Sequence, residues 1–259
     1  MNTNKAKVII QARVGSTRLP GKVLLDVMGR TMLHYLIEKV KKAKNIEDII
    51  IATTIKEQDL PIVVLAQKLQ VKIYRGSEDD VLDRYYQAAK AFNLRHIVRI
   101  TADCPLMDPE IIDKIVHYYF KSGADYCCNV LKRTFPTGED VEVFSFSTLK
   151  YTWEHANLAS EREHVTPYIM KHPEVFKLKN VTNKTDLSRK RWTLDRMEDF
   201  KFVKAVIEKL YHSDSNFHMK DILKLLKSDP GLEAINKNVI SKEGYLKSLR
   251  EDRVLKSRV

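Results

Sequence analysis

Three cations, two hydroxyls and two glycines fall within ten residues near the start of the sequence. In KVIIQARVGSTRLPGKVLL, residues 7–25, Arg13, Arg18 and Lys22 are interleaved with Ser16, Thr17, Gly15 and Gly21. Cations neutralise anionic oxygens, hydroxyls donate to them, and glycines let backbone N–H groups approach closely, so this set can wrap a polyphosphate. A nucleoside triphosphate is the natural ligand. The apolar run at 8–10 just before it reads as a buried strand emptying into the loop.

Two common phosphate-binding loops do not match. A Walker loop has four residues between its glycines and Ser or Thr after the lysine; here five residues separate Gly15 from Gly21, and Val23 follows Lys22. The dinucleotide pattern GxGxxG is absent as well. The stretch is therefore either a solvated basic turn or a phosphate cradle of another type. Its place after the first apolar run favours the cradle, because ligands in open α/β sheets bind beyond the carboxyl ends of strands.

A polyphosphate site calls for a hard cation on carboxylate oxygens. Asp103, in TADCPLMDP, follows the apolar run 96–100, and Pro105 prevents the chain from simply continuing as helix. Asp195 follows a second strand-like run at 191–194. Two such aspartates can meet at the top of one sheet and share one Mg²⁺, the expected cofactor. Asp108, before Pro109, reads instead as a helix N-cap, and Asp79 and Asp80 as acids at the positive end of a helix. Arg75, Gly76 and Ser77 form a second polar loop, from which a guanidinium can reach a nucleobase or phosphate.

These side chains need a scaffold. Residues 31–44 carry a helical stripe at Leu33, Leu36, Ile37 and Val40; 48–53 read as a strand; Asp59 caps a helix to 70 with Pro61 in its first turn; 71–74 are a strand. Helix 81–92, strand 96–100, helix 109–122 closed by Gly123 and strand 124–128 follow. Strand and helix alternating over short connections imply a parallel sheet covered on both faces. Between 129 and 185 the alternation lapses, leaving a strand around Val141, Val143 and Phe144 and a helix ending before Pro173. This segment reads as an insertion forming a specificity surface or a dimer contact, with Glu142, Glu163 and His164 as polar candidates or locally paired groups. A strand at 191–194 and a helix to 210 complete an α/β domain over 1–211, and 212–259 reads as a helical C-terminal appendage.

Composition bounds the partners. With 259 residues, 44% hydrophobic and 31% charged, the chain can bury one substantial core, and a net charge of +11 favours anionic ligands. No aromatic-bearing RNA motif or arginine-rich arm stands out, so a nucleic-acid partner is not expected. The N-terminal apolar run spans three residues, far short of a secretory or membrane-spanning segment, so a cytoplasmic protein without a membrane partner is expected. Cys104, Cys127 and Cys128 offer neither a disulfide framework nor a CxxC pattern, and the eight histidines show no HExxH-type spacing.

QARVGSTRLPGKVL, ATT, YRGSEDDVLDRY, RITADCPLMDP, GEDVEVFS, REHVTPYI and WTLDRMEDF, in this order and with the tail NKNVISKEGYLKSLRED, closely resemble the spore-coat polysaccharide (SpsF-type) branch of the cytidylyltransferases, relatives of the CMP-KDO and CMP-sialate synthetases. The resemblance implies a Rossmann-like, mostly parallel sheet sandwiched by helices, of the nucleotide-diphospho-sugar transferase type. It implies a homodimeric enzyme that joins CTP to an acidic acceptor and releases pyrophosphate in surface polysaccharide biosynthesis. It further implies triphosphate binding by Arg13, Ser16, Thr17, Arg18 and Lys22; base and ribose binding by Arg75, Gly76, Ser77 and Thr53; Mg²⁺ on Asp103 and Asp195; and an acceptor pocket at Glu142, Glu163 and His164. The chain departs from the sugar-acid synthetases at Gln11, where they commonly carry proline, and in its acceptor-binding stretch. Two rival readings remain, a sugar-1-phosphate nucleotidyltransferase using another NTP and a basic nucleic-acid-binding protein.

Overall fold

The first apolar run is strand β1 (Ala6–Gln11), and in a computed structural model describing residues 4–239 and 243–255 it is an interior strand of a seven-stranded sheet. β4 (Ile46–Thr54), β5 (Lys72–Gly76) and β6 (His96–Thr101) run parallel with it in the order β5-β4-β1-β6. β7 (Tyr126–Cys128), β8 (Glu142–Ser145) and β9 (Leu178–Asn180) extend the sheet in the order β6-β8-β7-β9, with β8 antiparallel to both neighbours. A short ribbon of β2 (Asp26–Val27) and β3 (Arg30–Thr31) follows the basic loop.

Both faces of the sheet are covered, which is why its central strands are apolar at successive positions. Val8, Ile10, Ile49, Ile51, Val98 and Ile100 pack towards α1 (Met32–Lys41), α2 (Leu60–Lys68) and α4 (Pro109–Ser122). Ile9, Ile50, Ile97, Tyr126 and Phe144 pack on the other face towards α3 (Val81–Ala91), α5 (Phe146–His155) and the segment of α6 (Ala159–His164) and α7 (Pro167–Lys171). Each fully buried aliphatic or aromatic side chain contributes about 1.5–3 kcal/mol. The caps follow the sequence: Asp80 accepts from Asp83 N at 2.8 Å, Asp108 from Glu110 N at 2.8 Å, and Gly123 closes α4 with φ 56°.

Four expectations change. Residues 191–194 are an extended segment outside the sheet, with an isolated parallel bridge between Arg191 and Thr137, because β9 already holds the edge beside β7. The helix expected to end before Pro173 is broken into α6 and α7 at Val165, whose φ is 72°. The segment 129–185 contributes β8 to the interior of the sheet, between β6 and β7. Asp59, expected to cap a helix, makes no cap hydrogen bond and instead holds the basic loop.

The C-terminal part is joined to the rest by a third apolar cluster. Trp192, Leu194 and α8 (Met197–Leu210) pack with Ile222 and Leu226 of α9 (Met219–Ser228) and Leu232 of α10 (Gly231–Ala234), and also with Leu19, Met32 and Tyr35. The last helix, α11 (Glu243–Arg250), buries no residue fully and lies along α6. Among the described residues no helix is long and apolar enough to cross a membrane. Residues 1–3, 240–242 and 256–259, part of the expected domains, lie outside the described residues.

Candidate active site

The loop after β1 is shaped by its own backbone. Ser16 N and Gly21 N both donate to Val14 O, at 2.7 and 3.0 Å, and Gly21 adopts φ 69°, a left-handed turn that avoids strain only without a side chain. This turn starts a single 3₁₀ turn that carries Lys22. Val14 N is held by Asp59 Oδ1 at 2.6 Å, and the other oxygen of this buried carboxylate accepts from Thr54 Oγ1. Asp59 therefore fixes the entry of the loop from the end of β4.

Lys22 Nζ lies 2.9 Å from Asp103 Oδ2 and 2.9 Å from Asp195 Oδ1, and Arg18 Nη2 donates to the same Asp195 oxygen at 2.7 Å. The two aspartates predicted to meet do meet, on the cation of the loop. Their approach is a backbone event: Leu194 N donates to Asp103 O at 2.8 Å, and Thr193 Oγ1 to the same carbonyl at 3.1 Å. Gly138 makes room for this segment, since a Cβ there would stand 2.7 Å from Thr193 N and Trp192 C. Behind Asp195, the fully buried Asp199 accepts from Asp195 N, Arg196 N and the Arg191 guanidinium, all within 3.0 Å. Burial alone would raise the Asp195 carboxyl, but Lys22 and Arg18 outweigh it and hold it well below the usual carboxylate range. Burial likewise pulls Lys22 down while Asp103 and Asp195 pull it further up, so its ammonium stays charged.

Arg13, Ser16, Thr17, Arg18, Lys22 and Asp103 line one cleft of about 260 Å³, whose lining also includes Arg99, Glu163, His164 and Gly244. That arrangement suits a small anionic ligand and two hard oxygen ligands for a cation.

A family model described as "Cytidylyltransferase" matches residues 7–238. The chain belongs to that family. It is 34% identical over 213 residues to the spore coat polysaccharide biosynthesis protein SpsF of Bacillus subtilis, covering 80% of this chain and 88% of that one. It is 44% identical over 237 residues to an uncharacterized protein of Methanocaldococcus jannaschii, covering 90% and 95%. The solved structure of a cytidylyltransferase from Leptospira borgpetersenii superposes with a TM-score of 0.85 at 35% identity, covering 91% of this chain and 98% of the other.

Several other candidates in this cytidylyltransferase lie outside the cleft. The Arg75 guanidinium donates to the carbonyls of Thr54, Ile55 and Lys56, tying β5 to the end of β4 rather than reaching into the cleft. Ser77 serves the start of α3, accepting from Asp80 N through Oγ and from Arg84 Nη1 through its carbonyl. Gly76 is closely packed, since a Cβ would meet the Tyr74 ring at 2.9 Å and the Arg84 side chain at 3.2 Å, and Thr53 is fully buried. Glu142 is buried behind Arg99, its ion-pair partner, so the group it presents to the cleft is that arginine. Glu163 and His164 do reach the cleft, where both contact Ser248 of α11, at 2.7 and 3.0 Å. Gln11, Arg84, Arg99 and Thr101 line it too; all four lie within the motifs that carry the family resemblance, but none was assigned a role in the site. Asp108, Glu110 and His218 also cluster, but Asp108 is already engaged by His218 and by Glu110 N and Met219 N, capping two helices.

Proposed function

We propose that this cytidylyltransferase transfers the CMP moiety of CTP to an anionic acceptor with release of pyrophosphate, in surface polysaccharide biosynthesis. The observation that carries the reading is the convergence of Asp103, Asp195 and Arg18 on Lys22, at the mouth of a glycine-bearing loop after β1. The acceptor oxygen, an anomeric hydroxyl or a phosphate or phosphonate oxygen, attacks the α-phosphorus in line, and the bond to the β-phosphate oxygen breaks. Positioning and charge neutralisation account for most of the catalysis in such transfers. Lys22 and Arg18 neutralise the departing pyrophosphate, and Ser16, Thr17 and Arg13 hold the triphosphate along the loop. A phosphate or phosphonate oxygen is already ionised and needs no general base, whereas an anomeric hydroxyl gives up its proton to solvent water as it attacks.

The residues present fit a Mg²⁺ ion, because two carboxylates converge within 2.9 Å of one cationic atom and both are hard oxygen donors. Asp103 and Asp195 would hold it, and it would supply Lewis-acid polarisation of the phosphate oxygens. We further propose a cytoplasmic homodimer, the assembly that the sequence resemblance implies. A thermal-shift panel of CTP, UTP, GTP and ATP tests the nucleotide. Pyrophosphate formation from CTP across acidic sugars and phosphorylated polyols tests the reaction. A preference for UTP or GTP, or no pyrophosphate with any anionic acceptor, sinks the reading.

A further inference from the structure

Arg99 is a second fixed cation of the cleft, on a different strand from the phosphate loop. In the β1–β6 ladder Ile9 pairs with Arg99 and Gln11 with Thr101, so the side chains of Gln11 and Arg99 stand on the same face of neighbouring strands. In the β6–β8 ladder Arg99 lies opposite Glu142, and its Nη1 donates to Glu142 Oε2. The other Glu142 oxygen accepts from Tyr126 Oη at 2.5 Å and Thr166 Oγ1 at 2.8 Å. Glu142 is thus held from three sides, and it fixes the guanidinium in turn.

The network leaves polar atoms unmet in residues that line the cleft. Arg99 Nε and Gln11 Oε1 are buried and have no hydrogen-bond partner among the described residues, and both residues line the cleft. Buried polar atoms in native proteins are matched by protein, water or ligand, because leaving them bare forfeits their hydration. With Nη1 taken by Glu142, the Nε–H edge of the guanidinium is the one left to fork onto two oxygens of an anion. Gln11 Oε1 wants a donor beside it.

We propose that Arg99 and Gln11 form the anchoring subsite of the acceptor: Arg99 binds a carboxylate or phosphate of the acceptor, and Gln11 accepts from a hydroxyl next to that anion. Naming the ligand an acceptor rests on the cytidylyl-transfer reading. Glu142 is a positioning residue, acting through Arg99. His164 lines the same cleft; burial chiefly, and then the Arg99 charge, lower its pKa against the opposing Glu163 and Glu142, so the imidazole there stays neutral.

The test uses the full chain and four probes: glycerate, which places a hydroxyl beside a carboxylate, glycerol phosphate, inorganic phosphate and neutral glycerol. Each is titrated while the arginine Nε–H resonances are followed by NMR, the Arg99 signal being assigned by its loss in the double variant Arg99→Met/Glu142→Gln, which leaves no buried charge unpaired. The expected result is a saturable shift of that signal with an anion and none with glycerol. Glycerate binding should weaken at least tenfold in the double variant and severalfold in Gln11→Ala and Glu142→Gln, with Arg99→Lys restoring only part of it. A stronger response to glycerate assigns a hydroxy acid, and a stronger one to glycerol phosphate a phosphorylated acceptor. No saturable shift with any anion, or equal affinity in wild type and the double variant, overturns the proposal. CTP binding is measured in parallel by calorimetry: its absence beside an intact anion response removes the transfer reading, whereas intact CTP binding without an anion response removes this subsite alone.

Discussion

Asp103 and Asp195 share a single partner, each placing a carboxylate oxygen 2.9 Å from Lys22 Nζ. Two carboxylates brought that near repel each other, at roughly 4 kcal/mol for a 4 Å separation at an effective dielectric of 20, unless a cation lies between them. Lys22 fills that role, and a divalent ion bound to both acids would release the ammonium towards phosphate. Asp103→Asn is therefore expected to lower Mg²⁺-dependent pyrophosphate release by roughly 100-fold, with circular dichroism unchanged. Unaltered turnover in a continuous pyrophosphate assay would reject the metal assignment.

Lys22 is also expected to discriminate between parts of the nucleotide. A charge-assisted hydrogen bond contributes roughly 1.5–3 kcal/mol, so Lys22→Ala should weaken CTP binding by roughly 10- to 100-fold. Cytidine lacks the phosphates that Lys22 would meet, and its affinity should hold. Isothermal calorimetry giving equal losses for CTP and cytidine would place Lys22 away from the triphosphate.

The same cluster sets two opposite pH limits. The Asp195 carboxyl is depressed below the ordinary aspartate value of 3.8, against the upward push of burial, by Lys22 and Arg18. Its contribution to stability is present above that value and is lost as pH falls towards its folded pKa. Lys22 is raised above 10.5 by Asp103 and Asp195 in spite of its burial, so its contribution is present below 10.5 and is lost as pH rises beyond its folded pKa. Asp195→Asn should flatten the acid limb of the melting temperature between pH 5 and 2. Parallel acid limbs for wild type and variant would show that the pair is not coupled to folding.

Local signals carried most of the scaffold. The glycine-bearing loop after β1, the caps at Asp80 and Asp108, the stop at Gly123 and the strand-helix alternation each depend on neighbours within a few residues, and each is where the sequence puts it. Asp195 was legible as an acid but its route was not: the 191–194 segment reaches Asp103 through backbone bonds and a close approach at Gly138, which have no local pattern. Asp59 read as a cap because it precedes Pro61, and only the tertiary fold reveals its carboxylate on Val14. Arg75 illustrates the reverse, a cation at a strand end whose Nε and Nη2 donate to the carbonyls of residues 54–56. The pair of Arg99 and Glu142 depends on an antiparallel strand entering a parallel sheet, a pairing that the alternation of elements does not foretell.

That pair supports a final contrast, between two ion pairs that look alike in sequence. Arg99 and Glu142 have side chains 13% and 5% exposed, whereas Arg196 and Glu243, which join α8 to α11, are 41% and 43% exposed. Removing one partner of a buried pair strands the other charge away from water, whereas exposed partners return to solvent with little penalty. Glu142→Ala is expected to lower unfolding stability by about 3–5 kcal/mol, and Glu142→Gln by less, because the amide still accepts from Tyr126 or Thr166. Glu243→Ala should leave the urea midpoint where it is, since α11 has no fully buried side chain. Equal midpoints for Glu142→Ala and Glu243→Ala would mean that Arg99 is hydrated in solution, and that the wall of the cleft opens more freely than its hydrogen bonds imply.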